Sequence, residues 1–346
     1  MDAEVAVVGA GVMGLATAAA LARDGRDVVL LEQFRLGHDR GSSHGTSRIF
    51  RLSYPEEQWV RLAQEALPLW RELEAESGET LLELHGSVDL GDWRANRDAL
   101  DACGVRYDIF DRHAAERRFG LVLAPGEEAL HQADGGVALA DKTLTVLAAG
   151  ASANGTRVLE ETRVLAISED DGAVRIELES GCLEARAAVV TAGAWAPRLV
   201  DLADASPTRE TTAYYDLEGP IPSLIDSGLA GGAHGYALTA PGVGTKASIH
   251  RTGPPADPDG PPEADHTIAE AAGEWLARRF PPAAPEPLRV ETCLYTNLDD
   301  DRFVCERRGR IIVGSPCSGH GFKFAPLIGK RLAALAVNGT DPARAA

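Results

Sequence analysis

The N-terminal stretch constrains the fold most. Glu4-Val-Ala-Val-Val8 is an apolar, β-branched run that reads as a strand. Gly9-Ala-Gly11-Val-Met13-Gly14 follows, then Leu15–Arg23 at helical spacing, Asp24-Gly25 as a stop, and a second strand, Val28–Leu31, ending in Glu32-Gln33. The order is strand, glycine turn, helix, strand, acid, with Glu32 lying 23 residues after Gly9. This is the context in which a G-x-G-x-x-G motif indicates a dinucleotide site: the glycines permit a tight turn and bring a pyrophosphate close to the helix N-terminus. Glu32 is placed to accept hydrogen bonds from a ribose. The motif alone leaves FAD and NAD both open.

A second glycine-rich turn lies near the other end. Ser318-Gly319-His320-Gly321-Phe322-Lys323-Phe324 follows an apolar strand-like run, Ile311–Gly314, and precedes an amphipathic helical run, Leu327–Val337. Backbone N–H groups on such a turn can meet an anion or a cofactor edge. An ordinary Gly-rich turn explains the residues equally well.

Between these ends, Ser43-His-Gly-Thr-Ser-Arg48-Ile-Phe-Arg51 is polar, glycine-rich and basic. Two arginines three apart on a short helix suit phosphate or carboxylate binding; a solvated loop is the plainer alternative. Gln58–Glu74 reads as an amphipathic helix with Trp70 in the core. Gly86–Leu90 and Leu121–Leu123 read as strands of a second, more β-rich region. A helix is expected over Asp141–Asn154, with strands at Thr156–Leu159, Thr162–Ile167, Val174–Leu178 and Ala187–Val190. The last of these runs into Thr191-Ala192-Gly193-Ala-Trp195, either a ligand-presenting strand end or a helix start with Trp195 in the core. In Thr245–His250 alternation puts Lys246, Ser248 and His250 on one face, towards a pocket or towards solvent. Arg251–Pro262 reads as a loop and Thr267–Phe280 as a helix.

Composition narrows the function. A length of 346 residues and 45% hydrophobic content allow two domains or one large α/β domain, and the net charge of −18 argues against nucleic acid or an anionic membrane as partner. No apolar run approaches the ~20 residues of a spanning helix, and no basic n-region with a cleavage site opens the chain, so a cytoplasmic location is expected. The five cysteines at 103, 182, 293, 305 and 317 form no C-x-x-C pair. Neither a disulfide framework nor a metal site is expected. Lysine occurs only at 142, 246, 323 and 330 among 34 basic residues, so a retained lysine hints at amine chemistry.

With these segments placed, the chain resembles the FAD-dependent amine oxidoreductases of the D-amino-acid oxidase superfamily, in particular the monomeric sarcosine oxidase and N-methyltryptophan oxidase group. The resemblance rests on Val8–Gly14, Ser43–Arg51, Val190–Trp195, Cys293-Leu-Tyr295-Thr296 and Ser318–Phe324. It implies an α/β architecture: a Rossmann-type FAD-binding domain over 1–57, 131–202 and 288–346, interleaved with an α+β substrate domain over 58–130 and 203–287 that carries a large mixed or antiparallel sheet. It implies that FAD is held by Gly9, Gly11, Met13, Gly14, Glu32 and Gln33, by Ser43 and Arg48 against the flavin, by a backbone contact of Val164, and by Ala192, Gly193 and Trp195. It matches Cys293 to a cysteine bonded to the flavin 8α-methyl group, and sets the backbone of Gly319, His320, Gly321 and Phe322 at the flavin pyrimidine edge, with Lys323 adjoining.

For chemistry, the resemblance matches Arg51 and Lys323 to a pair that clamps a substrate carboxylate, Lys246 to a lysine that activates oxygen, and His250 and Tyr295 to pocket residues near the amine. Tyr236 falls one position out of register with an active-site tyrosine. The chain is shorter than typical members, and segments 80–130 and 205–245 match poorly. The expected activity is a monomeric flavin oxidase acting on a small secondary amino or imino acid, sarcosine-like or cyclic, with molecular oxygen reduced to peroxide. The alternatives are an FAD-dependent dehydrogenase or desaturase using another acceptor, a nicotinamide enzyme, and a flavin-bearing subunit without activity.

Overall fold

The computed structural model describes residues 1–170, 172–202 and 204–338; the last eight residues of the nucleotide domain drawn from sequence, 339–346, lie outside it. An eight-stranded sheet carries the nucleotide motif. Its main path runs Val164–Asp170, Ala173–Leu178, Gly181–Val190, Ala3–Val8, Val28–Leu31, Arg157–Leu159. The ten-residue strand Gly181–Val190 is the hub. One edge pairs in parallel with Ala3–Val8; the other pairs first with Ala173–Leu178, antiparallel, and then in parallel with Ile311–Ser315. The C-terminal glycine turn therefore leaves the sheet two strands away from the N-terminal one, at the same carboxyl edge. Both faces are covered. Val12–Arg23, Ala140–Ala153 and Ala325–Asn338 pack on one side, in the largest apolar core.

The second sheet also has eight strands: Pro287–Asn297, Ser206–Tyr215, Gly244–His250, His234–Ala240, Ser223–Asp226, Ser87–Leu90, Ala129–Gln132, Asp108–Phe110. It is antiparallel except where Ser223–Asp226 runs parallel to Ser87–Leu90. Helix His266–Arg279 buries Ala269, Ala272, Trp275 and Leu276 against one face, where Ala247 and Ile249 also point. Period-two alternation sends Lys246, Ser248 and His250 to the other face. Lys246 and Ser248 are buried there, so that face meets the nucleotide unit and not solvent.

Some elements differ from the sequence reading. The segment holding Arg48 and Arg51 is not helical: Ser47–Phe50 is a strand, paired with Gly136–Leu139 in a small third sheet. β-branched and aromatic residues at 49 and 50 favour that outcome. Leu121 and Leu123 are buried but not in a strand; the Val122 N–H donates to the Arg279 carbonyl. Pro287–Asn297 belongs to the second sheet, although the sequence-drawn nucleotide domain resumes at 288. Helix Glu57–Ser77, drawn in the substrate domain, packs in the core of the first sheet's helices.

That helix also supports the C-terminal turn. Trp70 is fully buried, and its indole N–H donates to the Lys323 carbonyl at 2.7 Å. A Trp70→Phe substitution keeps an aromatic ring but orphans that carbonyl. A loss of about 1–3 kcal/mol is expected, read as a lowered urea midpoint.

Candidate active site

At the nucleotide end, geometry follows from the missing side chains. A Cβ on Gly14 would lie 1.8 Å from the Gly9 carbonyl oxygen, so only glycine lets the first helix sit this close to the turn. Gly14 thus acts by packing, whereas Gly9, Gly11 and Met13 line the cavity. The Val12 N–H, one of the helix's unpaired first-turn donors, is accepted by Ser43 Oγ at 3.0 Å. Glu32 is buried, which by itself raises its pKa. Its hydrogen bonds from His38 and from the N–H groups of Ala10 (2.7 Å) and Phe34 (3.0 Å) prevail and hold it below the usual carboxylate value. An ionised acceptor facing a cavity at the end of the second strand fits a ribose hydroxyl. Gln33, Val164, Ala192, Gly193 and Trp195 line the same end. Trp195 donates its indole N–H to Asp259 at 2.7 Å, which brings the 251–262 loop down beside it.

Further along, the loop after Ser42 is fastened to the second sheet. Ser42 Oγ donates to the Leu294 carbonyl, and the Leu294 N–H to that of Gly41. Arg48 spends its guanidinium on loop carbonyls, those of Ser42 and His44 at 2.6 Å and of Ser47 at 2.9 Å. It fixes the loop as a charged scaffold and does not form a free anion pair with Arg51. Cys293 sits on the strand that Leu294 anchors. Burial pushes its thiol pKa up, opposed by the charges of Arg48 and Lys246. Lys246 is buried, and its pKa falls to about 7 through desolvation and the nearby Arg48 charge. Its Nζ lies 5.5 Å from the ring centre of Tyr214, whose hydroxyl donates to Glu291 at 2.9 Å. Burial and the same two cations hold His44 neutral, with its pKa lowered to about 4.

At the far end, Gly319 has φ +79°, and a Cβ there would stand 2.5 Å from Tyr295 and 2.8 Å from His250. The turn backbone is thus seated against the two pocket residues. His250 is kept neutral, its pKa lowered to about 3 mainly by burial. Tyr236 lies 6.4 Å from His250, ring to ring. The His320 side chain turns away into an aromatic cluster, 4.8 Å from both Trp59 and Phe303. This packing anchors the turn and leaves its backbone to the cavity. Lys323 is buried, with Nζ donating to the His320 carbonyl at 2.8 Å; burial and the Arg51 charge lower its pKa well below that of a free lysine. Arg51 stacks over Tyr54 at 4.4 Å and pairs with Asp89 at 2.9 Å.

Apart from Gly14, every residue that the resemblance assigns to the site lines one cavity of about 920 Å³ that runs from Glu32 to Lys323. Ligand sites usually occupy about 300–1,000 Å³, so this one is large enough for a cofactor and a small substrate together. Tyr54, Trp59 and Leu238 line it too, and Asp89 stands behind Arg51. None was singled out from sequence. Asp89 left one faint trace, a lone acid between the apolar Val88 and Leu90 of a short strand, Ser87–Leu90.

A family model described as FAD dependent oxidoreductase (DAO) matches residues 4–335. Peroxisomal sarcosine oxidase of Homo sapiens is 33% identical over 355 residues, covering 94% of this chain and 90% of that protein. Monomeric sarcosine oxidase of Bacillus sp. (strain NS-129) is 27% identical over 365 residues, covering 97% of this chain and 93% of that protein. The solved open form of NikD, an unusual amino acid oxidase essential for nikkomycin biosynthesis, aligns with a TM-score of 0.89 at 28% identity, covering 98% of this chain and 95% of that one.

The Gly319 contact yields a direct test. Gly319→Ala requires an unfavourable left-handed alanine and displaces His250 or Tyr295. We expect a loss of at least about tenfold in affinity for any ligand of the pocket, with a stability change of only ~1–3 kcal/mol. Ligand titration beside thermal unfolding separates the two effects.

Proposed function

The chain belongs to the DAO family of FAD dependent oxidoreductases, and from that premise we propose that it is an oxidase of a secondary amino acid, converting a C–N bond to an imine with oxygen reduced to hydrogen peroxide. One observation carries the reading. A single cavity joins the glycine turn and Glu32 to Cys293, Lys246, Arg51 and Lys323, so a cofactor and a carboxylate-bearing amine can lie end to end.

In this reading Gly9, Gly11 and the helix behind them take the pyrophosphate, Glu32 the ribose, and Gly319–Phe322 the ring edge, with Cys293 Sγ as the point of covalent attachment. Bound FAD supplies the two-electron acceptor and the route to oxygen. The protein's share is positioning and charge. Arg51 and Lys323 draw in the substrate carboxylate. His250, held neutral, lies beside the amine and adds no competing cation. Tyr295, whose pKa burial keeps well above the usual value, stays a hydrogen-bond donor. Lys246 offers a positive charge to the negative charge developing on oxygen, a preorganised interaction that grows towards the transition state. Sarcosine-like and cyclic imino acids both suit such a clamp. The reading includes a monomer acting in the cytoplasm; among the described residues no helix is long and apolar enough to cross a membrane.

Three measurements test it. On acid precipitation of the purified protein, yellow colour should stay with the pellet, and in Cys293→Ser it should pass to the supernatant. Colour in the supernatant for the unaltered protein would remove the covalent link. In stopped flow, Lys246→Met should slow the reaction of the reduced enzyme with oxygen by ~10²–10³-fold while leaving substrate reduction nearly unchanged. Because the pKa of Lys246 is lowered to about 7, its charge is present below that pH and lost above it. The oxygen reaction should therefore slow as pH rises through about 7, and this limb should be absent in the variant. Oxygen consumption during turnover separates an oxidase from a dehydrogenase with another acceptor.

A further inference from the structure

The cation at the far end of the cavity is already partnered. Arg51 Nη1 donates to Asp89 Oδ1 at 2.9 Å, and the Asp89 side chain is only 4% exposed. Burial raises the pKa of this carboxyl, and the Arg51 charge, with Ser53 and Asn96 beside it, opposes the rise and favours the ionised form. Strand alternation explains the placement. Val88 and Leu90 enter the core under helix His266–Arg279, so Asp89 points to the opposite face of the sheet, where Arg51 lies. Arg51 faces the cavity, with Asp89 behind it.

We infer that Asp89 is a specificity-determining residue: by neutralising Arg51 from behind, it leaves the Arg51–Lys323 pair with one uncompensated positive charge, so that the site favours ligands carrying a single carboxylate and rejects dicarboxylates. This rests on the carboxylate clamp proposed above.

The surrounding charges support the count. Lys323 donates to the His320 carbonyl and lies over the Tyr54 and Phe324 rings, with no carboxylate paired to it among the described residues, and the charge acting on it is that of Arg51. Arg251, at the rim, is paired with Asp301. His250 and His320 are both kept neutral by burial. One incoming carboxylate, whose own charge favours the protonated form of Lys323, therefore balances the site. A second would lie in a poorly solvated pocket with neither member of the Arg51–Lys323 pair left to balance it and with Asp89 close behind, an arrangement that costs binding energy. Without Asp89, Arg51 and Lys323 would together present two charges. A neutral amine lacking a carboxylate gains nothing from either.

The test compares malonate with its monoamide, malonamate, two ligands of one shape that differ by one charge. Calorimetric titration of the holoenzyme should give tighter binding of malonamate. In Asp89→Asn the ratio of the two dissociation constants should move about tenfold or more towards malonate. In Asp89→Glu, which keeps the charge, it should move little. Equal weakening of both ligands in Asp89→Asn would make Asp89 merely structural and overturn the inference. Malonate binding at least as tightly as malonamate to the unaltered enzyme would overturn it without any variant. Arg51→Ala distinguishes the underlying reading: if it leaves malonamate affinity unchanged, the clamp itself fails, whatever Asp89 does.

Discussion

Four cations sheltered from solvent, Arg48, Arg51, Lys246 and Lys323, face one cavity between two sheets, and the structure is built around how each is compensated. Removing a charge from water is costly unless something replaces the water. Arg48 is wrapped by backbone carbonyls of its own loop. Arg51 has a carboxylate behind it. Lys323 has one carbonyl, and Lys246 lies beside the Tyr214 ring, with the carboxylates of Glu291 and Asp141 acting at longer range. Arg48 is thus tied by three carbonyls and Arg51 backed by one carboxylate, whereas the two lysines are left short of partners and lose basicity. That division matches the chemistry of the side chains. A guanidinium keeps its charge in any setting, while an amine responds to burial.

The compensation also explains why the loop after Ser42 takes the path it does. Its carbonyls converge on Arg48, its Ser43 hydroxyl caps the first helix, and its Ser42 hydroxyl reaches the strand that bears Cys293. One polar segment joins the nucleotide turn, the cation cluster and the second sheet. A solvated loop would have left all three separate.

Much of this was legible in the sequence, and the limits were physical. The first strand, turn and helix were readable because each local preference there agrees with the fold. The strand face of Lys246, Ser248 and His250 was readable as a face, but not as a buried one, since alternation is blind to what lies opposite. Ser206–Tyr215 gives little strand signal in the sequence, because its buried threonines and Glu210 look like surface. The Arg48–Arg51 spacing suggested a helix because three residues suit one helical face; the intervening Ile49 and Phe50 prevailed, and the strand, which ends at Phe50, leaves Arg48 and Arg51 to different uses. Asp89 was beyond reach for the same reason. Its meaning depends on Arg51, which is 38 residues away and meets it only through tertiary packing.

The position of Cys293 has a structural consequence of its own. The glycine turn, Glu32 and the Gly319–Phe322 turn all hang from the first sheet, but Cys293 lies on Pro287–Asn297, a strand of the second sheet. A thioether from Cys293 would therefore fasten to one sheet a cofactor whose other contacts belong mostly to the other. Such a link would restrain the cavity's width as well as the cofactor, because the wall that carries Lys246 and His250 is continuous with the Cys293 strand through Ser206–Tyr215. Lys246 and the reacting ring would then keep a constant separation, which an electrostatic interaction with oxygen requires, since its strength falls with distance and with any water that a wider gap admits.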